Sequence, residues 1–311
     1  MNLEQLRSFV EVARLGHFTR AAEHLHLAQP SLSRQIAALE RDLGAELFRR
    51  APGEVTLTAA GESLLPLARR MLADADSVRR EMAELAGLRR GRVRLGATPT
   101  LCISLVAEAL HAFHDQHPGI ELHLSERGSR DLMAELAGGE LDLALVTTSE
   151  RRPAPGLTLA PLLTEELVVV SAASRPPIVD GDAIPLSRVA ALPQVVFSSG
   201  YDLRATTDAA FRSAGLTPTV AVEGVEMDAV LRFAERGLGV AIVPAMVLVD
   251  RPGLRSVRLS RPRLTRTISL AAPADVAPAP AVAAMQRTVR ATARSFAARQ
   301  SDTMQLVMPE R

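Results

Sequence analysis

The stretch from Phe18 to Gly61, FTRAAEHLHLAQPSLSRQIAALERDLGAELFRRAPGEVTLTAAG, signals helix, tight turn, helix and short hairpin in succession. Thr19 is placed to cap a short first helix, with Ala21, Ala22 and Leu25 turned inward. Small alanines let a second helix cross closely. Pro30 suits the first turn of that second helix, where a missing N–H costs nothing. Leu32, Ile36, Leu39 and Leu43 recur at helical spacing as its buried stripe, and Gly44 stops it. Its other face opens with Gln29, Pro30, Ser31, Ser33 and Arg34. Short polar groups and one fork-shaped donor at a helix N-terminus suit base edges and phosphates in a major groove. Pro52-Gly53 then turns a hairpin, a wing on which Arg49 and Arg50 can neutralise phosphate. The expectation is a winged helix-turn-helix over residues 1–58, with its helix-turn-helix at 18–37, binding double-stranded DNA.

At these residues the chain resembles the LysR-type transcriptional regulators. The likeness is carried by LRSFVEVARLGHFTRAA with Phe9 and Gly16, by AAEHLHLAQPSLSRQIAALERDLGAELFRR, and by Leu57-Thr58 with Gly61. Two positions depart from the family: Ala28, where many relatives carry Ser or Thr, and the acidic Glu54 in the wing. Residues 1–58 hold seven arginines and seven carboxylates, so no bulk basic field is present. Affinity must come from placement and from doubling the domain. Every basic residue of the chain is arginine, and arginine grips phosphate and guanine in a bidentate way that lysine cannot.

Residues 59–90 read as one long helix. Leu64, Ala68, Met71, Ala75, Val78, Met82 and Leu85 step by four and three in a heptad register, with charges outside the seam. Pro66 falls in its early turns. A helix this long and polar is marginal alone; it needs either its own domain to pack on or a second chain, and the continuous register favours a homo-oligomer, dimer or tetramer. The resemblance implies the same: a linker helix that pairs two chains.

From residue 91 the texture alternates short apolar runs (RVRLGA, IELHLSE, LDLALVT, LVVVSA, QVVFSS, TVAVEG, VAIVP, ISLAAP) with helical patterns, which predicts an α/β domain over 91–299 with parallel sheets. GGELDLALVTT and GLGVAIVP resemble phrases of the family's effector domain. The resemblance implies a fold like a periplasmic binding protein, with lobe one at 91–161 and 267–299 and lobe two at 162–266. Residues 300–311 read as a loose tail. Ligands in such sheets bind beyond the carboxyl ends of strands. Four polar strand ends are therefore candidate effector contacts: Thr98 and Thr100; Arg127 and Ser129; Thr147 and Thr148; and Ser198, Ser199 and Tyr201. Hydroxyls and free N–H groups there suit a small carboxylate-bearing molecule.

Other chemistry is weaker. His111, His114 and His117 rotate around a helix without a supporting cluster, so no metal or other cofactor is expected. Cys102 is the only cysteine, so no internal disulfide can form. Nucleophile elbow, phosphate loop and dinucleotide fingerprint are all missing, and no catalytic residue is expected. Glu223 and Glu226 lack an obvious acid–base partner. The chain is 47% hydrophobic and 23% charged with a formal charge of +1, an ordinary globular balance. No apolar run reaches membrane-spanning length. The reading is a cytoplasmic regulator, with RNA polymerase as a further expected partner. The alternative is an α/β enzyme or small-molecule-binding protein carrying an interaction domain.

Overall fold

A computed structural model describes residues 1–51, 54–85, 91–148, 156–199, 201–249, 251–274, 276–299 and 304–306. The Pro52-Gly53 turn lies outside the described residues, as do the side chains of Arg50, Glu54, Leu85 and Thr148. The chain divides into two compact units, Met1–Gly91 with Ala134–Asp142, and Arg92–Met133 with Leu143–Arg311.

The first unit begins with α1 (Leu3–Leu15), whose cap Asn2 accepts from Gln5 N while the Gln5 side chain accepts from Asn2 N. Then come α2 (Phe18–His24), α3 (Gln29–Leu43), the antiparallel hairpin β1 (Phe48–Ala51) and β2 (Glu54–Leu57), and α4 (Ala59–Leu85). Phe9, Val12, Ala21, Leu32, Ile36 and Leu39 are fully buried. Phe48 closes that core, 5.4 Å from the Phe9 ring and 5.8 Å from Phe18. Burying each large aliphatic side chain contributes about 1.5–3 kcal/mol, so this small core rests on few residues. Two expectations fail here. Thr19 lies inside α2, whose N-cap is His17 without a side-chain cap bond. Leu43 is 40% exposed, because α3 ends at Gly44 before that turn reaches the core.

The turn between α2 and α3 has no glycine. His26 takes the left-handed conformation (φ 54°). Leu27 N donates to Ala22 O at 2.8 Å and His26 N to Glu23 O at 3.1 Å, the paired bonds that end a helix in a Schellman motif. Thr58 caps α4: its hydroxyl accepts from Gly61 N at 3.1 Å and donates to Glu46 O at 2.6 Å. Gly61 has no room for a side chain, since a Cβ there would stand 2.3 Å from Leu47 O and 2.8 Å from Leu57 Cδ2. This close approach is the physical content of the Leu57-Thr58-Gly61 signature.

The second unit opens with β3 (Arg92–Ala97), followed by α5 (Pro99–Leu101), a π-helical turn (Cys102–Val106) and α6 (Ala107–Gln116). Next come β4 (Glu121–Glu126), α7 (Ser129–Ala137), whose residues from Ala134 on are counted with the first unit, β5 (Leu143–Thr148) and the long β6 (Leu157–Ala172). Then follow β7 (Ala183–Ile184), α8 (Leu186–Ala190), β8 (Gln194–Phe197), α9 (Asp202–Ser213), β9 (Val220–Val225), α10 (Met227–Glu235) and β10 (Ala241–Pro244). The chain closes with β11 (Leu254–Leu259), β12 (Thr265–Pro273), α11 (Pro280–Arg299) and β13 (Met304–Leu306). The expected parallel pairing holds for β3 with β4 and β5, and for β8 with β9. It fails at β6 and β12, which pair antiparallel with each other. β6 is also antiparallel to β10 and β11, and β12 to β5. These two long strands join the two parts of the sheet, with a register shift between Ile268 and Ser269. The loose-tail reading is corrected for Met304–Leu306, which pairs with Leu163, Thr164 and Glu165 of β6. A strand edge with unpaired N–H and C=O groups takes up such a segment.

Candidate functional site

Two surfaces gather the expected site residues. On the first, Gln29, Pro30 and Arg34 are exposed and Ser31 and Ser33 half-buried at the start of α3. The inward side of α3 buries Leu32, Ile36 and Leu39, so these polar groups stand opposite the core. Ala28 is the N-cap and supplies no side-chain bond, which leaves the first N–H groups of the helix without a side-chain cap. Arg34 Nη2 donates to Ser31 Oγ at 3.3 Å, which steers the guanidinium toward the helix start. Residues 29–37 hold no carboxylate, while Glu40 and Asp42 stand at the far end. Local polarity is therefore favourable although the first 58 residues are balanced in charge. Thr19 is exposed on α2, and Arg49 is exposed on β1 opposite Thr56.

On α4 the heptad positions divide. Ala68 is fully buried and Leu64 packs against the core of its own unit, so Ala68 is not available to a second chain. Met71, Val78 and Met82 are exposed, and Leu67, outside the expected register, joins them. Ala75 is half-buried.

The second surface is a cavity of about 310 Å³ in the second unit, lined by Thr98, Pro99, Thr100, Arg127, Gly128, Thr147, Ser198, Tyr201, Asp202, Leu203, Glu226 and Arg266. That size suits a small molecule. Six of the nine expected effector contacts line it. Ser129 does not; its hydroxyl accepts from Thr147 N at 3.2 Å and lies 3.3 Å from Thr147 Oγ1, bracing β5 against α7. Ser199 is exposed and outside the lining, because the chain turns at Ser198 toward α9.

Arg266, Asp202 and Glu226 are lining groups that strand-end reasoning missed. Arg266 sits on β12, and its Nε donates to Oε1 of the fully buried Glu165 at 2.8 Å. Its Nη2 lies 2.7 Å from the same oxygen but off hydrogen-bond angle, an ionic contact. Nη1 donates to Thr100 Oγ1 at 3.0 Å. Glu165 Oε2 accepts from Met246 N at 3.0 Å, so the buried carboxylate is satisfied on both oxygens. Across the cavity Ser198 Oγ donates to Glu226 Oε1 at 3.2 Å, and Asp202 Oδ2 accepts from Ser129 N at 3.1 Å. The ring of Tyr201, the only tyrosine, stacks on Phe197 at 4.8 Å. Its hydroxyl is buried without a hydrogen-bond partner among the described residues. Burial, then the Glu226 charge, pushes its pKa well above the ordinary value, so it stays a donor.

Residues 3–62 match the model of the bacterial regulatory helix-turn-helix protein, lysR family, and residues 86–294 match the LysR substrate binding domain. The chain is a LysR-type transcriptional regulator. Among its relatives, a probable nitrogen assimilation transcriptional activator of Synechococcus elongatus is 34% identical over 88% of this chain and 90% of that one. The HTH-type transcriptional regulator YybE of Bacillus subtilis is 32% identical, over 87% and 92%. A full-length OxyR variant of Pseudomonas aeruginosa superposes with a TM-score of 0.70 at 25% identity, covering 93% of this chain and 98% of that one. Full-length CbnR complexed with its target DNA gives 0.64 at 28% identity, over 94% and 100%. These domains and relatives are regulators, which sets the enzyme alternative aside. The LysR-type chain thus joins a DNA-binding helix-turn-helix to an effector-binding domain. Among the described residues no helix is long and apolar enough to cross a membrane, and no cluster of three or more His, Cys, Asp or Glu is placed to hold a metal ion.

Proposed function

We propose that the regulator reads an operator through the exposed face of α3, with Gln29, Pro30, Ser31, Ser33 and Arg34 in the major groove. Thr19, Arg49 and Arg50 sit on the flanking phosphates in this reading. The carrying observation is the acid-free, outward N-terminal half of α3 with Arg34 steered by Ser31. Two heads are presented by a homo-oligomer paired along α4, where Leu67, Met71, Val78 and Met82 form an apolar stripe 43–59% exposed. Two joined heads gain a high effective concentration for the second half-site. The effector occupies the cavity lined by Thr98, Thr100, Arg127, Thr147, Ser198 and Tyr201. Its differential affinity for two arrangements of the paired heads switches transcription, through RNA polymerase, in the cytoplasm. The test incubates full-length protein with sheared genomic DNA from its source and sequences the retained fragments. A recurring two-fold symmetric site supports the reading; retention uniform across sequence refutes it.

A further inference from the structure

The cavity is electrically two-sided. On the side of β3, β4, β5 and β12 it presents Thr98, Thr100, Arg127, Thr147 and Arg266. The positive charge of Arg266 is balanced by Glu165 beneath it, so what Arg266 adds is direction. By donating to Thr100 Oγ1 it turns the Thr100 hydroxyl proton outward, to Thr98 Oγ1 3.5 Å away or to a ligand in the cavity. That side therefore offers donors, among them the guanidinium of Arg127, whose Nη1 also donates to Glu126 O at 3.1 Å. The side of α9 and α10 offers Asp202 and Glu226. Ser198 occupies one Glu226 oxygen and Ser129 N one Asp202 oxygen, so each carboxylate keeps acceptor capacity. Neither has an arginine within ion-pair distance among the described residues.

A ligand carrying only a carboxylate would meet the donors on one side and two uncompensated carboxylates a few bonds away, in a space of about 310 Å³. Like charges held together in a small cleft oppose binding. A ligand with both a carboxylate and an ammonium group satisfies both sides. We infer that the effector is a zwitterion of amino-acid type, its carboxylate on Thr100 and Arg127 and its ammonium on Glu226 and Asp202. This deepens the cavity reading above and rests on it.

The probes are the common L-α-amino acids, their deaminated carboxylic acids and their decarboxylated amines, each added to the full-length protein in a thermal-shift assay and titrated by calorimetry. At least one amino acid raises the midpoint, while its acid and its amine leave it in place. Glu226→Gln, at an exposed position, weakens that amino acid about tenfold, the loss of one charged hydrogen bond, and narrows the gap to its deaminated acid. Arg127→Gln weakens it as well. Amino acids without effect, or deaminated acids binding as tightly, overturn the inference. If an acid binds as tightly and Arg127→Gln abolishes it, the cavity reading stands and only the zwitterion fails. If a bound amino acid ignores both variants, the cavity reading fails and the inference with it.

Discussion

Arg266 Nη1 donates to the Thr100 hydroxyl at 3.0 Å, although 166 positions separate the two residues. The bond ties β12 to α5, and buried Glu165 on β6 holds its donor in place. Removing one partner of a buried ion pair leaves the other charge uncompensated. Arg266→Leu should therefore cost about 3–5 kcal/mol, seen as a lower thermal midpoint and loss of effector response. Replacing Arg266 and Glu165 together by methionine should recover most of the stability and none of the response. Full stability in the single variant would mean the pair contributes nothing.

Gly61 tests the packing of α4 on the hairpin. Gly61→Ala places a Cβ 2.3 Å from the Leu47 carbonyl oxygen, and backbone must move. Overpacking of this kind costs about 1–3 kcal/mol. The midpoint should fall and DNA affinity with it; an unchanged midpoint would show that the contact relaxes freely.

The left-handed His26 is an opposite case. A left-handed L-residue costs about 1–2 kcal/mol, and glycine gives back about 0.5–1 kcal/mol in entropy. His26→Gly should raise the midpoint by the difference, with DNA affinity unchanged. A lower midpoint would place the His26 side chain in an essential contact.

Cys102 is held as a thiol. Burial first, then the nearby Glu126 charge, pushes it up from 9.0 to about 12. The folded chain keeps this proton after the unfolded chain has lost it. Stability from Cys102 is thus present below pH 9 and is lost as pH rises toward about 12. Cys102→Ser should flatten the alkaline limb of a stability–pH profile. At pH 8 a disulfide reagent should label the native thiol slowly and the denatured chain fast. Rapid native labelling would point to a reactive sensor thiol.

The parts of this molecule that sequence made legible are those written in local chemistry. Pro30, Gly44 and the spacing of Leu32, Ile36 and Leu39 specify α3 almost residue by residue. Polar groups at strand ends single out Thr98, Thr100, Arg127, Thr147, Ser198 and Tyr201, and the fold brings these six to the lining of one cavity. What stayed hidden is long-range. Nothing near Arg266 says that it meets Thr100, and β6 pairs with strands whose distance in sequence no periodicity encodes. In sequence Glu226 is a carboxylate without an evident partner, because Ser198, 28 positions away, meets it only in the folded cavity wall. His26 carries no turn signature, since the strain is imposed by the two helices it joins. In α4, the heptad register describes spacing, and cannot say that Ala68 is claimed by its own core.

The most direct test of the central claim is fluorescence anisotropy of wild-type and Arg34→Ala protein on the selected operator and on a scrambled duplex, across a salt series. Arg34→Ala should lose about 1–3 kcal/mol on the operator, lose little on the scrambled duplex, and keep its oligomeric state. Equal operator affinity for the two proteins would contradict that claim, because the exposed face of α3 would then not be reading DNA.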